Sequence, residues 1–385
     1  MKLFSEMSLA PELLKALEKM KITTPTPIQT QAIPAGLDGS SLIGIAQTGS
    51  GKTLAFALAL LTHLQKKSDS RAVILAPSRE MAQQIHKVFE ELCAELPVST
   101  CLVIGGLPSA KQVSQLKKNP RLIIGTPGRL NDHLITNKLL LQKVQLMVID
   151  EADRMLDMGF APQLKQIQST LRGPQQTFMF SASFNSNVEA IAKIFIHGEY
   201  KMIRAAQAEE PVTGLKQKVL FLDRTMKNDR LLDELNATKG GVILFAGDQE
   251  RCETVGKYLK EYGYETDYIH GGLTQGHRNR VVREFRAGEI RIMVTTDLLA
   301  RGLDVPHVEY VFNFDLPFEG EDFLHRIGRT ARAGRSGKAV TFVTPGDQRN
   351  YNKIKPYLKD AEEVKVDPYF KFIDRVPKYT PPRHK

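Results

Sequence analysis

Short runs of apolar, mostly β-branched residues recur along this chain, separated by stretches in which apolar residues return with helical spacing. The first series is Leu42–Ala46, Ala72–Ala76, Leu102–Ile104, Leu122–Ile124, Leu146–Ile149 and Phe178–Phe180. A run that is apolar on both faces must be covered on both faces, the condition of a strand inside a parallel sheet flanked by helices. The series then restarts at Val219–Leu222 and continues through Val242–Ala246, Tyr268–Ile269, Ile290–Val294, Val308–Phe312 and Ala339–Val343. Two series predict an α/β protein of two domains, each folded round its own mainly parallel sheet. A length of 385 residues exceeds one ordinary core, and a hydrophobic content of 42% is enough to bury two. The expected break is the small, polar stretch 206–214, which carries Pro211 and Gly214. The organisation read from the sequence is therefore 1–205, a flexible linker 206–214, 215–366, and a tail 367–385. That tail is basic, with Lys371, Arg375, Lys378, Arg383 and Lys385.

Ala46-Gln47-Thr48-Gly49-Ser50-Gly51-Lys52-Thr53 stands between the strand-like run Ser41–Ile45 and the helix-like run Leu54–Leu61. This is a phosphate-binding loop in its strand–loop–helix setting. Gly49 and Gly51 let backbone N–H groups curl round phosphate oxygens, and the helix N-terminus adds its positive dipole end. Lys52 is expected to reach the terminal phosphates, and the Thr53 hydroxyl to hold Mg²⁺. The ligand class is a nucleoside triphosphate. Asp150-Glu151-Ala152-Asp153 directly follows the run Leu146–Ile149. An apolar strand ending in a carboxylate is the partner such a loop requires: Asp150 to hold Mg²⁺ through water, Glu151 to orient or deprotonate the attacking water.

Asp-Glu-Ala-Asp also names a family, and on it and its companions the chain resembles the DEAD-box ATP-dependent RNA helicases. Pro25-Thr26-Pro27-Ile28-Gln29 is similar to the family's Q motif, with Phe4 at the place of its upstream aromatic and Ile22 where an aromatic often stands. Ala46–Thr53 resembles motif I, Pro77-Ser78-Arg79-Glu80 motif Ia, Gly105-Gly106 the GG element, Thr126-Pro127-Gly128-Arg129 motif Ib, and Ser181-Ala182-Ser183 motif III. In the second half, Gln275-Gly276-His277-Arg278 resembles the Q-x-x-R element, Thr296–Asp304 motif V, and His325–Arg332 motif VI. The match covers residues 4 to 345, essentially a whole helicase core.

The resemblance implies two tandem RecA-like domains, with ATP and Mg²⁺ as cofactors and RNA as partner. Phe4, Ile22, Gln29, Thr48, Gly49, Ser50, Gly51, Lys52, Thr53 and Asp304 are then the nucleotide-binding residues. Gln29 pairs its amide with the adenine edge, and Asp304 accepts from ribose hydroxyls. A guanine-type Asn-Lys-x-Asp element is lacking, since Asn137-Lys138-Leu139-Leu140 has no final acid. Arg329 and Arg332 resemble arginine fingers and join Lys52 and Glu151 as catalytic residues. Because the arginines and Lys52 lie in different halves, hydrolysis is expected to need both. Asp153, Ser181, Ser183 and His325 are the expected coupling residues. Pro77, Arg79, Gly105, Gly106, Thr126, Arg129, Gly271, Arg278, Thr295 and Arg301 are the expected RNA contacts.

Composition agrees with a polyanionic partner. Lys and Arg number 53 against 43 Asp and Glu, a formal charge of +10. The chain has no Trp and only 7% aromatic residues, few for a protein that grips bases by stacking. Contacts to phosphates and sugars are expected instead, without reading of sequence, and the 2′-hydroxyl separates RNA from DNA. Cys93, Cys101 and Cys252 have neither disulfide-framework nor zinc spacing, and the first residues carry no apolar signal core, so a cytoplasmic protein is expected. Apolar runs are too short for a membrane span. The activity read from all this is ATP-dependent local separation of short RNA duplexes, with ribosome assembly and RNA decay as the settings the resemblance implies. An ATP-gated RNA clamp and a DNA translocase are the alternatives the same residues leave open.

Overall fold

The computed structural model describes residues 3–46, 49–94, 96–173, 175–204, 214–297, 308–331, 336–358 and 360–373. Apart from Gly214, the expected linker lies outside the described residues, as does the tail beyond Ile373. The chain divides into two compact units, residues 1–207 and 208–385.

In the first unit the strands are β1 (Ser41–Ile45), β2 (Arg71–Leu75), β3 (Thr100–Val103), β4 (Leu122–Gly125), β5 (Val144–Ile149), β6 (Gln176–Ser181) and β7 (Tyr200–Arg204). They form one sheet in the order β3-β4-β2-β5-β6-β1-β7. The second unit repeats the pattern with β8 (Leu215–Phe221), β9 (Gly241–Phe245), β10 (Thr266–Ile269), β11 (Ile292–Thr295), β12 (Val308–Asn313), β13 (Gly337–Val343) and β14 (Glu362–Lys365). Its order, β10-β11-β9-β12-β13-β8-β14, is the first order with every strand number advanced by seven. Every described pairing is parallel. Helices cross between successive strands, giving two tandem RecA-like units.

The double-sided burial predicted from the apolar runs is visible residue by residue. In β6, Phe178 and Phe180 join the core on one face with Phe56, Phe89 and Ile28. Met179, between them, joins the other face with Ile43, Met147 and Phe195. In β9, Val242 and Leu244 lie in one core while Ile243 and Phe245 lie in another. Two strands, β7 and β14, have no counterpart among the predicted runs. Both are edge strands pairing on one side only, and their sequences, YKMIR and EEVK, are largely polar and exposed. An edge strand is recruited by backbone hydrogen bonds and needs little apolar surface. No described helix is long and apolar enough to cross a membrane.

A parallel sheet gathers all its strand C-termini along one edge, and loops leaving neighbouring strands meet there. In the first unit β6 lies between β1 and β5, with Ile45 opposite Ser181 and Ile149 opposite Met179. That register brings the phosphate turn, Ser181 and Asp150 to one edge.

Candidate nucleotide and nucleic-acid site

Gly49 (φ 86°) and Gly51 (φ 92°) both adopt left-handed backbone immediately before the helix Lys52–Lys66. Gly51 has no latitude: a Cβ there would stand 2.4 Å from Gln29 Nε2. Gln29 is 2% exposed, accepts from Thr26 N at 2.8 Å, and donates through Nε2 to the Gly51 carbonyl at 3.0 Å. The glutamine expected to read adenine thus also ties its own helix N-terminus to the phosphate turn, and each end of its amide keeps one further hydrogen-bonding position. Lys52 is 7% exposed, and its Nζ donates to the Ala46 carbonyl at 2.8 Å. Ser50 Oγ is buried without a hydrogen-bond partner among the described residues. Thr53 is half-buried in the first turn of the helix, and Thr48 lies outside the described residues.

Asp150 follows β5 and is 4% exposed. Burial pushes its carboxyl up to about 7, against the pull of Lys52 and with the help of the Glu151 charge. Glu151 has φ 51° and ψ 56°, a left-handed conformation a non-glycine residue rarely adopts. Its Oε2 stands 2.8 Å from Arg154 Nη1, with both side chains more than nine-tenths buried. Arg154 had no place in the sequence reading. On the helix begun by the acidic motif, three residues on, it reaches back to Glu151.

Two expected nucleotide contacts are covered. Phe4 is 4% exposed and belongs to the first unit's core with Leu13 and Leu17, and Ile22 packs half-buried against the same core. A 3₁₀ turn over Phe4–Glu6 carries the Phe4 ring into that core, so it does not offer an open face. Among the coupling residues, Ser181 is fully buried and its Oγ has no partner among the described residues. Ser183 Oγ accepts from Asn185 Nδ2 at 3.4 Å, Asp153 Oδ1 accepts from Arg154 N at 3.1 Å, and His325 is half-buried in the helix Gly320–Ile327 of the second unit.

The loops after β2, β3 and β4 carry the expected RNA contacts of the first unit. Pro77 is buried, and Arg79 opens the helix Arg79–Leu92. Its guanidinium is seated against Gly105, where a Cβ would stand 2.8 Å from Arg79 Nη2. Gly106 has φ 82°, and Thr126 stands at the N-cap position of the helix Pro127–Thr136 that carries Arg129, without a side-chain capping bond. These residues converge. In the second unit the outcome is mixed. Gly271 lies exposed after β10. Arg278 is 5% exposed with its Nη2 turned onto Gln275 Oε1, and Thr295 is fully buried. Thr295 ends β11, paired on both sides by Ile269 and Phe245, so neither of those two side chains is an open RNA contact here. Arg301, Asp304 and Arg332 lie outside the described residues.

Arg329 is 4% exposed and donates from Nε to the His325 carbonyl at 3.2 Å. In the same motif is Arg326, for which the sequence alone implies no role. Arg326 is 1% exposed and meets Asp297 through Nε at 2.6 Å and Nη2 at 2.7 Å. Its Nη1 donates to the Asp315 carbonyl at 2.5 Å. A bidentate pair on a buried guanidinium fixes direction as well as charge, and it anchors the turn from which Arg329 extends.

A left-handed glycine turn leading into a helix, with a buried carboxylate two strands away, is the arrangement of a P-loop nucleotide-binding protein. Here the sheet that carries it is followed by a second of identical strand order. Residues 26–191 match the family model described as DEAD/DEAH box helicase, and residues 226–334 that of the helicase conserved C-terminal domain. The chain belongs to the DEAD/DEAH box helicase family. It is 40% identical to an ATP-dependent rRNA helicase, rrp3, of Aspergillus niger, over 95% of this chain and 80% of that protein. It is 37% identical to DEAD-box ATP-dependent RNA helicase 20 of Arabidopsis thaliana, over 99% of this chain and 77% of the relative. Among solved structures it is similar to S. cerevisiae Dbp5 bound to RNA and ADP BeF3, with a TM-score of 0.83, 34% identity, and 95% and 96% of the two chains covered. Mss116p bound to ssRNA and AMP-PNP gives a TM-score of 0.84 at 27% identity, covering 95% of this chain and 79% of that one.

Proposed function

We propose that this chain is an ATP-dependent RNA helicase, an RNA-stimulated ATPase that locally separates short duplexes. The observation that carries this is the gathering of the phosphate turn, Asp150 and Ser181 at one sheet edge, in a chain whose second unit supplies the buried Arg329. Lys52 exchanges its Ala46 carbonyl for a phosphate oxygen, and the backbone of Gly49 to Gly51 cradles the phosphates. The free positions on the Gln29 amide take the adenine edge. Glu151 orients the attacking water and takes its proton, and Arg329 with Arg332 stabilises charge on the transferred phosphoryl group. Hydrolysis therefore depends on both units, the ATP-binding one over 1–205 and the second over 215–366, joined at 206–214.

Thr53 and Asp150 would hold magnesium, and a carboxyl that burial drives up to about 7 suits a divalent cation, which restores its charged form. The ion, when bound, neutralises phosphate charge. RNA is held by the sugar–phosphate contacts of Arg79, Gly105, Gly106, Thr126, Arg129 and Gly271. The names of the rRNA helicase relatives support ribosome assembly as the setting, and free thiols at Cys93, Cys101 and Cys252 suit a reducing cytoplasm.

The test is ATP hydrolysis and displacement of a short duplex, with RNA or DNA of equal sequence, by the wild type and Glu151→Gln. RNA should stimulate hydrolysis well above DNA, and Glu151→Gln should lose about 10²- to 10⁴-fold. Equal stimulation by DNA overturns the substrate class, and hydrolysis without displacement makes the protein a clamp.

A further inference from the structure

We propose that Gln112 is a positioning residue for RNA binding, one buried amide that holds the loop after β3 and Arg129 in a single geometry. The inference rests on the RNA reading above. Gln112 lies on the helix Ser109–Lys117, whose buried residues are Gln112 and Leu116. It is 2% exposed, at a position where the i, i+4 partner is a leucine and an apolar side chain would be cheaper to bury. Its amide is fully used. Nε2 donates to the Ile104 carbonyl at 3.0 Å and to the Leu107 carbonyl at 3.2 Å, on either side of Gly105 and Gly106. Oε1 accepts from Arg129 Nε at 3.4 Å and lies 3.4 Å from His133 Nε2. Two carbonyls on one side and a guanidinium on the other leave only one orientation of the amide, and all four of its hydrogen-bonding positions are filled. Oε1 can only accept, so the His133 ring faces it with Nε2–H, and burial with the Arg129 charge lowers the ring's pKa.

The consequence reaches three groups of proposed contacts at once. The Gly105 and Gly106 backbone moves with the Ile104 and Leu107 carbonyls. Arg79, seated against Gly105 with no room for a Cβ, moves with that loop. Arg129 is fixed from the other end of the same amide. Phosphates along a strand have fixed spacing, so contacts held in one frame bind it better than contacts that must each be ordered on binding.

The experiment measures binding of a labelled single-stranded RNA by the full chain, comparing wild type, Gln112→Ala, Gln112→Glu and Arg129→Ala. Gln112→Glu keeps an acceptor for Arg129 but turns an oxygen toward the two carbonyls. Both Gln112 variants should weaken RNA binding about tenfold. Half-saturating ATP, measured at saturating RNA, should stay at the wild-type value, a split that general loss of fold would not produce. Amide hydrogen exchange across residues 104–107 should rise in both. If Gln112→Ala melts early, Gln112→Glu and the exchange data carry the test. Wild-type RNA affinity in both Gln112 variants, with Arg129→Ala weakened, overturns the proposal. Wild-type affinity in Arg129→Ala overturns the RNA reading beneath it.

Discussion

Gly51 and Asp150 are single residues whose surroundings set the chemistry of the phosphate site. Replacing Gly51 by Ala places a side chain in left-handed backbone, a cost of about 1–2 kcal/mol, and drives a Cβ to 2.4 Å from Gln29 Nε2. The bond between Gln29 and the turn must then break. We expect Gly51→Ala to weaken ATP binding at least about tenfold in a fluorescent-nucleotide titration, and unchanged affinity would remove the link between the glutamine and the turn. Asp150 gives a pH dependence. Its carboxyl, pushed up to about 7 by burial, must lose a proton before it serves a cation. Half-saturating Mg²⁺ should therefore rise as pH falls below 7, by up to about tenfold per unit, and level off above it. A flat profile between pH 6 and 8 would count against Asp150 as the metal residue.

Among elements, the end of β12 meets the starts of two helices through one carboxylate. Lys227 opens the helix Lys227–Asn236, is 4% exposed, and its Nζ lies 2.6 Å from Asp315 Oδ1. Asp315 Oδ2 accepts from Gly247 N at 3.0 Å and lies 3.7 Å from Arg251 Nε. Burial pushes the Asp315 carboxyl up, but Lys227 and these partners more than offset it and hold the group below its ordinary value. A depressed carboxylate pKa contributes stability that is present above the unfolded value and lost as pH falls through the folded one. Lys227→Met leaves that charge with only the Gly247 N–H and the more distant Arg251, so the loss should be about 3 kcal/mol at pH 7. Acid should then reduce the difference between the variants. Denaturant midpoints of the second unit at pH 7 and pH 3 check this, and a gap that widens in acid would be the wrong sign.

For the whole molecule, the repeated strand order means that two similar frames carry dissimilar side chains: a phosphate turn on one, a buried arginine on the other. Arg329→Ala in the full chain should bind ATP nearly as wild type but hydrolyse it about 10³- to 10⁵-fold more slowly under RNA stimulation. Loss of binding in place of hydrolysis would make Arg329 a ground-state contact. If ATP and RNA favour one and the same active form, each should raise the other's affinity by one common factor, about 5- to 150-fold. Titrating each ligand with and without a non-hydrolysable partner measures both factors, and unequal values would break the linkage.

The fold class and most of the phosphate site were legible in the sequence because their signals are local. A strand buried on both faces must carry an apolar run, as Leu146–Ile149, Phe178–Phe180 and Val242–Phe245 do, and Gly49 and Gly51 stand where a turn needs left-handed backbone. What stayed hidden depends on partners distant in the chain. The edge strands β7 and β14 carry no long apolar run, because backbone pairing and one or two apolar contacts, Ile203 and Val364, suffice to place them. Thr295 and Arg278 read as phosphate and sugar contacts in the sequence, and the fold buries both, with Arg278 Nη2 on Gln275 Oε1. Gln112 reads as one polar residue among many on a surface helix, and its significance appears only when residues 104, 107, 129 and 133 converge on its amide. Residue spacing determined the fold class and which groups are candidates for the site. Tertiary packing decided which are open and which are held, because burial and hydrogen-bond partners come from the opposite side of a contact.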